Sequence, residues 1–172
     1  MSMKQKVVIH DKMQSGYIYF LTQPIGMNFD PDFRPQLTPK EMLNMGVFGG
    51  RYIRDCQQEF PVDWYTHAKL FPLNRPGHDI ALNYYQVEAS QSLHIWQVKN
   101  WVYSDDPRGW FQWYCRYFMG RRHERDAAQI KRWKAMRRHV AQIKNNCMPF
   151  DETCRRKQRQ ALLHWAYDSR RM

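Results

Sequence analysis

No run of apolar residues in this 172-residue chain approaches the roughly 18–20 that a membrane-spanning helix needs. The opening stretch MSMKQKVVIH has lysines but no long apolar segment and no small-residue cleavage site, so it does not read as a secretory signal. The phosphate-binding GxxxxGK[ST] is missing, as are HExxH, GxSxG and any CxxC pair. Those absences remove the commonest nucleotide-binding, metalloprotease and serine-hydrolase chemistries. The four cysteines are Cys56, Cys115, Cys147 and Cys154. The spacing of Cys147 and Cys154 is poor for zinc, and neither a metal nor a cofactor is expected. Internal repeats and low-complexity tracts are also missing. These absences lead to the expectation of a soluble intracellular protein, cytoplasmic or associated with a nucleoid or nucleus, whose cysteines are reduced.

What is present is core material. Apolar residues are 43% of the chain and aromatic ones 15%, which argues against global disorder. The length suits a single domain over 1–172 that buries its own core. Val7–Ile9 and Tyr17–Leu21 read as short strands around a turn at Asp11–Gly16. Thr38-Pro39-Lys40-Glu41 is a helix start, with Thr38 as cap, Pro39 at the first position and Glu41 closing a capping box. Helical character follows over Arg51–Phe60 and from Asp63 to Leu70. Residues 79–102 read as two helices around a turn. Asp105-Asp106-Pro107 opens a helix that stops at Gly120. A long amphipathic helix spans 124–145, and Asp151 caps a last helix reaching about Asp168. The expected fold is mainly α, with a short N-terminal β-hairpin.

The net charge of +11 is unevenly placed. Residues 1–115 hold 11 Lys+Arg and 11 Asp+Glu, a neutral body; residues 116–172 hold 16 and 5, a basic helical region. Twelve of those 16 cations are arginines, whose planar forks suit paired contacts to phosphate. On the 124–145 helix, Ile130, Trp133, Met136, Val140 and Ile143 form an apolar stripe. Lys131, Lys134 and Arg138 fall on another face. On the last helix Leu162, Trp165 and Ala166 take one side, and Arg156, Arg159, Gln160 and His164 take the other. Such placement points to a polyanionic partner.

Trp110–Phe118 is dense in aromatic rings. Helical aromatic stripes usually pack, so core is the plainer role of most of these rings; since a helix in a small domain cannot bury every face, any rings left free could stack on bases, with Trp110 and Tyr117 as the candidates. Carboxylates at turns or helix ends, Asp30, Asp32, Asp55, Asp105 and Asp106, are the better general-base candidates. Of these Asp55, Asp105 and Asp106 are singled out, with pairing to Arg51 or Arg54 as the plainer role of Asp55 and capping that of the last two. Gly46, Gly49 and Gly50 beside Arg51 and Arg54 offer a phosphate cradle or, more plainly, a tight turn.

Two resemblances add to this. Residues 79–102 resemble, weakly, the helix-turn-helix of excisionase-like and MerR-like DNA-binding domains. Val87 stands at the turn, Ser90 at the cap, and Leu93 and Trp96 as the buried pair; Gln86 departs from the turn glycine. GVFGGRYIRDC, DDPRGWFQWYCRYFMGRR and CRRKQRQALLHWAYDS are similar to a small widespread family of uncharacterised proteins, which implies no activity. The leading expectation is nucleic-acid binding, DNA before RNA, through Arg121, Arg122, Lys131, Lys134, Arg138, Arg155, Arg156 and Arg159 as phosphate contacts. The alternatives are an enzyme acting on bases or nucleotides through an Asp in an aromatic cleft, and an adaptor for an acidic protein. No membrane partner is expected.

Overall fold

A computed structural model describes residues 4–172. Its described residues form two strands, β1 (Gln5–His10) and β2 (Ser15–Leu21), and six α-helices: α1 (Pro39–Asn44), α2 (Leu93–Val98), α3 (Trp110–Met119), α4 (Asp126–Ala135), α5 (Arg137–Asn146) and α6 (Arg156–Leu163). Short 3-10 turns lie at Arg54–Glu59, Val62–Trp64, Ile80–Leu82 and Ser169–Arg171. Helix of both kinds takes 38% of the chain, so helices outweigh strands while turns and irregular segments fill much of the rest. No helix among the described residues is long and apolar enough to cross a membrane.

The contacts divide the chain into two compact units. One comprises residues up to 34 together with 91–131; the other comprises 35–90 and 132–172. The division falls within α4.

In the first unit the two strands form an antiparallel hairpin with Val8 opposite Ile18 and Lys6 opposite Phe20. Asp11 organises its turn by accepting from the Met13 and Gln14 amides at 2.8 and 2.9 Å. Alternate residues Ile9 and Tyr19 are buried, as a one-sided hairpin requires. Helix α3 is the centre of this unit. Its eight residues from Trp110 to Tyr117 are all buried, so the rings are core and no face of that stretch is left for stacking. Phe33 explains how: its ring meets those of Trp113, Tyr114 and Tyr117 at 5.4–5.5 Å, so the 22–34 loop covers a side left open by the hairpin. Gly120 ends α3 at φ 117°, and a Cβ there would lie 2.0 Å from the Gln23 carbonyl oxygen. Only glycine lets that loop approach so closely.

In the second unit the capping box forms as read: Glu41 N–H donates to Thr38 Oγ1 at 3.2 Å, and Thr38 N–H to Glu41 Oε2 at 2.7 Å. The region after α1 is less helical than expected. Arg51–Phe60 yields a kinked 3-10 turn and Asp63–Leu70 a single one, Val62–Trp64. Gly46, Gly49 and Gly50 have positive φ, and Cβ atoms there would meet backbone or side chains of 69–82 at 2.3–2.8 Å. These glycines therefore serve tight packing. Arg51 and Arg54 donate to the carbonyls of Arg75 and Phe71, so they brace that loop rather than face a phosphate.

The long helix expected over 124–145 is two helices, α4 and α5, with Met136 as the turn between them. The apolar stripe holds: Ile130, Trp133 and Ile143 are buried. Helix α6 is shorter than expected, and Asp151 instead ties the preceding turn through Thr153 Oγ1 at 2.6 Å. The first of the two helices expected in 79–102 is a three-residue 3-10 turn, and Ser92 rather than Ser90 caps α2. The expectation of reduced cysteines fails for one pair. The α5–α6 turn brings the Cα atoms of Cys147 and Cys154 to 5.8 Å, and they form a disulfide; Cys56 and Cys115 are free and buried.

Candidate nucleic-acid interface

Burial sorts the basic residues into two kinds. In the first unit, Arg116 and Arg121 are 0% and 1% exposed and share one carboxylate, Asp106. Arg121 grips both carboxylate oxygens at 2.9 and 2.7 Å and also donates to Tyr17 Oη. Arg116 donates to Asp106 at 3.0 Å, to the Asp105 carbonyl at 2.6 Å and to Gln14 Oε1 at 2.8 Å. Burial opposes the Arg121 charge, but the facing Asp106 carboxylate outweighs it and raises its pKa. Arg122 lies 3.9 Å over the Tyr117 ring and donates to four backbone carbonyls, including those of Met27 and Asn28. In the second unit Arg159 is fully buried; it donates to the carbonyls of Cys154, Ser169 and Met172 at 2.7–3.0 Å.

Arg121, Arg122 and Arg159 are therefore internal braces, not phosphate contacts. Their guanidinium donors are largely spent on carbonyls, the Asp106 carboxylate and the Tyr17 hydroxyl within their own units. The stacking assignments fail for a similar reason. Trp110 and Tyr117 are 4% and 2% exposed; the Trp110 indole donates to the Gln129 carbonyl, and Tyr117 Oη accepts from the Asp30 amide. On α6, Gln160 is buried with its amide on the Val47 carbonyl, and His164 reaches the same oxygen, so the face expected to carry charge outward packs inward except at Arg156.

The acids are also accounted for. Asp106 is an ion-pair centre with its oxygens committed to two guanidiniums, and it caps nothing. Asp105 meets His123 Nε2 at 2.7 Å, and Gly109, not an Asp, precedes α3. Asp55 is half-buried in the Arg54–Glu59 turn. The second unit has an apolar crevice walled by Met42, Leu43, Val47, Phe48, Tyr52 and Tyr65, and none of these three acids lines it.

The remaining cations gather on one element pair. Residues 137–159 hold seven Lys+Arg against two acids. Across the α5–α6 pair, Gln158 is the link. Its amide nitrogen is 2.7 Å from His139 Nδ1 and also donates to Gln142, while its carbonyl oxygen accepts from Arg155 at 3.3 Å. Arg138 Nε lies 3.5 Å from His139 Nε2. A polar ladder thus runs from His139 and Gln142 on α5 through Gln158 to Arg155 at the head of α6, and Arg138 stands beside it without a hydrogen bond, because a neutral imidazole accepts at one nitrogen only and Gln158 takes that one. Burial, reinforced by the Arg138 charge, lowers the His139 pKa below its ordinary value.

Arg138, Lys144, Arg155 and Lys157 are exposed and pair with no carboxylate among the described residues. The two acids nearby are engaged: Asp151 by Thr153, and Glu152 by the Tyr84 hydroxyl at 2.9 Å. Arg156 is exposed but donates to the Tyr85 carbonyl. Lys134 is half-buried on α4, and Lys131 is exposed in the other unit. Of the eight expected contacts, Arg138 and Arg155 are the pair that lies exposed along the α5–α6 edge, Arg155 tied to it through Gln158 and Arg138 next to His139. Lys144, Lys157, His139, Gln142 and Gln158 join this edge without having been singled out from the sequence; their helical spacing alone did not show which edge of α6 meets α5.

No protein-family model matches the chain, and no curated protein or solved structure matches it either.

Proposed function

We propose that this protein binds nucleic acid, DNA before RNA, through the α5–α6 edge of its second unit. The observation that carries the reading is the ladder His139–Gln158–Arg155, flanked by Arg138, Lys144 and Lys157, cations that pair with no carboxylate among the described residues. Guanidiniums held in place lose less freedom on meeting a phosphate than mobile ones, and preorganisation of this kind favours binding. Of the eight expected contacts only Arg138 and Arg155 lie on this edge, and with Lys144 and Lys157 they make a footprint of about four. By counterion release, four contacts give a slope of log affinity on log salt of about −3.6 on duplex DNA.

The test is fluorescence anisotropy with labelled duplex DNA, single-stranded DNA and RNA over a salt series. The oxidised and reduced forms are run separately, because a cytoplasmic or nuclear site would expose the disulfide to reductant. Arg138→Ala with Arg155→Ala lowers the slope by about 2 and leaves the urea midpoint nearly unchanged. Wild-type affinity weaker than roughly 10⁻⁴ M at low salt refutes the reading. An acidic protein that binds the same edge in its place would make the protein an adaptor.

A further inference from the structure

We infer that the α5–α6 tip, Met148-Pro149-Phe150, is an apolar wedge that enters a base step of duplex DNA while the cations behind it hold the adjoining phosphates. The inference rests on the nucleic-acid reading above and gives that surface a mode of engagement.

Four observations converge on the tip. Met148 and Phe150 are 74% and 69% exposed, and Phe150 is more exposed than any other phenylalanine or tryptophan among the described residues. An isolated exposed apolar side chain is ordinary, but two flanking a proline at one turn are less so. The tip is also held in shape. The Cys147–Cys154 disulfide closes its base, and Phe150 N–H donates to the Met172 carbonyl at 2.9 Å. Phe150 sits at φ 64°, a left-handed conformation that a bulky L-residue adopts only under constraint. Finally, the surroundings are cationic: Lys144 precedes the disulfide by one helical turn, and Arg155, Arg156 and Lys157 follow it directly.

That combination fits one occupant. Proteins that kink duplex DNA insert Phe, Met, Pro, Leu or Ile between base pairs and offset the unstacking with phosphate contacts on either side. The tip has three of those residue types in a row, and the charge complementary to phosphate lies at its base. A single-strand binder would instead present several rings in a row as a stacking platform, and here one ring stands alone. Asp151 and Glu152 next to the tip keep their negative charge, but Lys144, Arg155, Arg156 and Lys157 outnumber them two to one.

The experiment uses the full chain and a duplex with 2-aminopurine at a central TA step, a step that unstacks readily. Anisotropy reports binding and 2-aminopurine fluorescence reports unstacking, in the same samples. At saturation the wild type raises the fluorescence about two- to five-fold. Phe150→Ala binds roughly ten-fold more weakly and abolishes the rise, while its salt slope stays that of the wild type. Met148→Ala gives an intermediate rise. The exposed positions of both side chains keep the fold intact, which the urea midpoint verifies. Binding with no fluorescence rise, unchanged in both variants, overturns the wedge and leaves the phosphate-binding edge standing. Failure to bind any nucleic acid overturns both readings. Phe150-dependent binding to phosphatidylserine vesicles, without binding to the duplex, also overturns both and makes the tip a membrane-interface anchor.

Discussion

His164 makes the stability of this protein depend on pH in a calculable way. Its ring packs 4.9 Å from Phe48, and its Nε2 is 3.0 Å from the Val47 carbonyl oxygen. Burial brings its pKa down to about 4, against the hydrogen bond to Val47, which favours the charged ring. In the unfolded chain the group titrates near 6.5. The unfolded state therefore takes up the proton first as pH falls. The stability is fully present above about pH 6.5 and is lost progressively as pH drops through 4. The whole shift corresponds to about 3 kcal/mol, of which about 2 kcal/mol is lost between pH 7.5 and pH 5. With a urea slope of about 2 kcal/mol per molar, the midpoint drops by about 1 M over that range. His164→Gln keeps a donor for Val47 and removes the titration. Its midpoint at pH 7.5 reflects repacking, but its drop between pH 7.5 and 5 is smaller than that of the wild type by about 1 M. The comparison subtracts every contribution common to both proteins. Equal drops in wild type and variant would refute the assignment of a buried neutral His164.

Other expectations concern the braces. Asp106→Asn leaves Arg116 and Arg121 buried beside a neutral amide, and an uncompensated buried charge of this kind costs about 3–5 kcal/mol, read from chemical unfolding. Reducing the Cys147–Cys154 disulfide, which closes a short loop, destabilises by about 2 kcal/mol on the chain-entropy account; a melting temperature indifferent to reductant argues against that. Gly120→Ala combines a strained φ with a Cβ driven onto the Gln23 carbonyl. Its cost exceeds about 1–3 kcal/mol, and hydrogen exchange at the Thr22 and Gln23 amides, both bonded to the Gly120 carbonyl, accelerates with it.

Local chemistry was legible in the sequence. The Thr38–Glu41 box, the hairpin turn at Asp11, the glycine stop at 120 and the Ile130–Ile143 stripe all depend on residues a few positions apart, so spacing carries the information. The basic excess of residues 116–172 was equally plain. Which of those cations are free was not. Arg121 finds Asp106 fifteen residues back and Tyr17 across the hairpin; Arg159 finds carbonyls at 154, 169 and 172; and Arg122 finds the 27–28 backbone. A count of formal charge weighs a buried ion pair and a solvated side chain alike. The burial of α3 on every side likewise needed Phe33, nearly eighty residues earlier. The disulfide needed the turn that brings α5 back onto α6. The sequence by itself determined the local turns, the helix starts and the amount of positive charge, because each follows from neighbours in the chain. Only the tertiary structure decided which arginines reach solvent and where the exposed phenylalanine sits, because the partners that bury or free a side chain are set by packing.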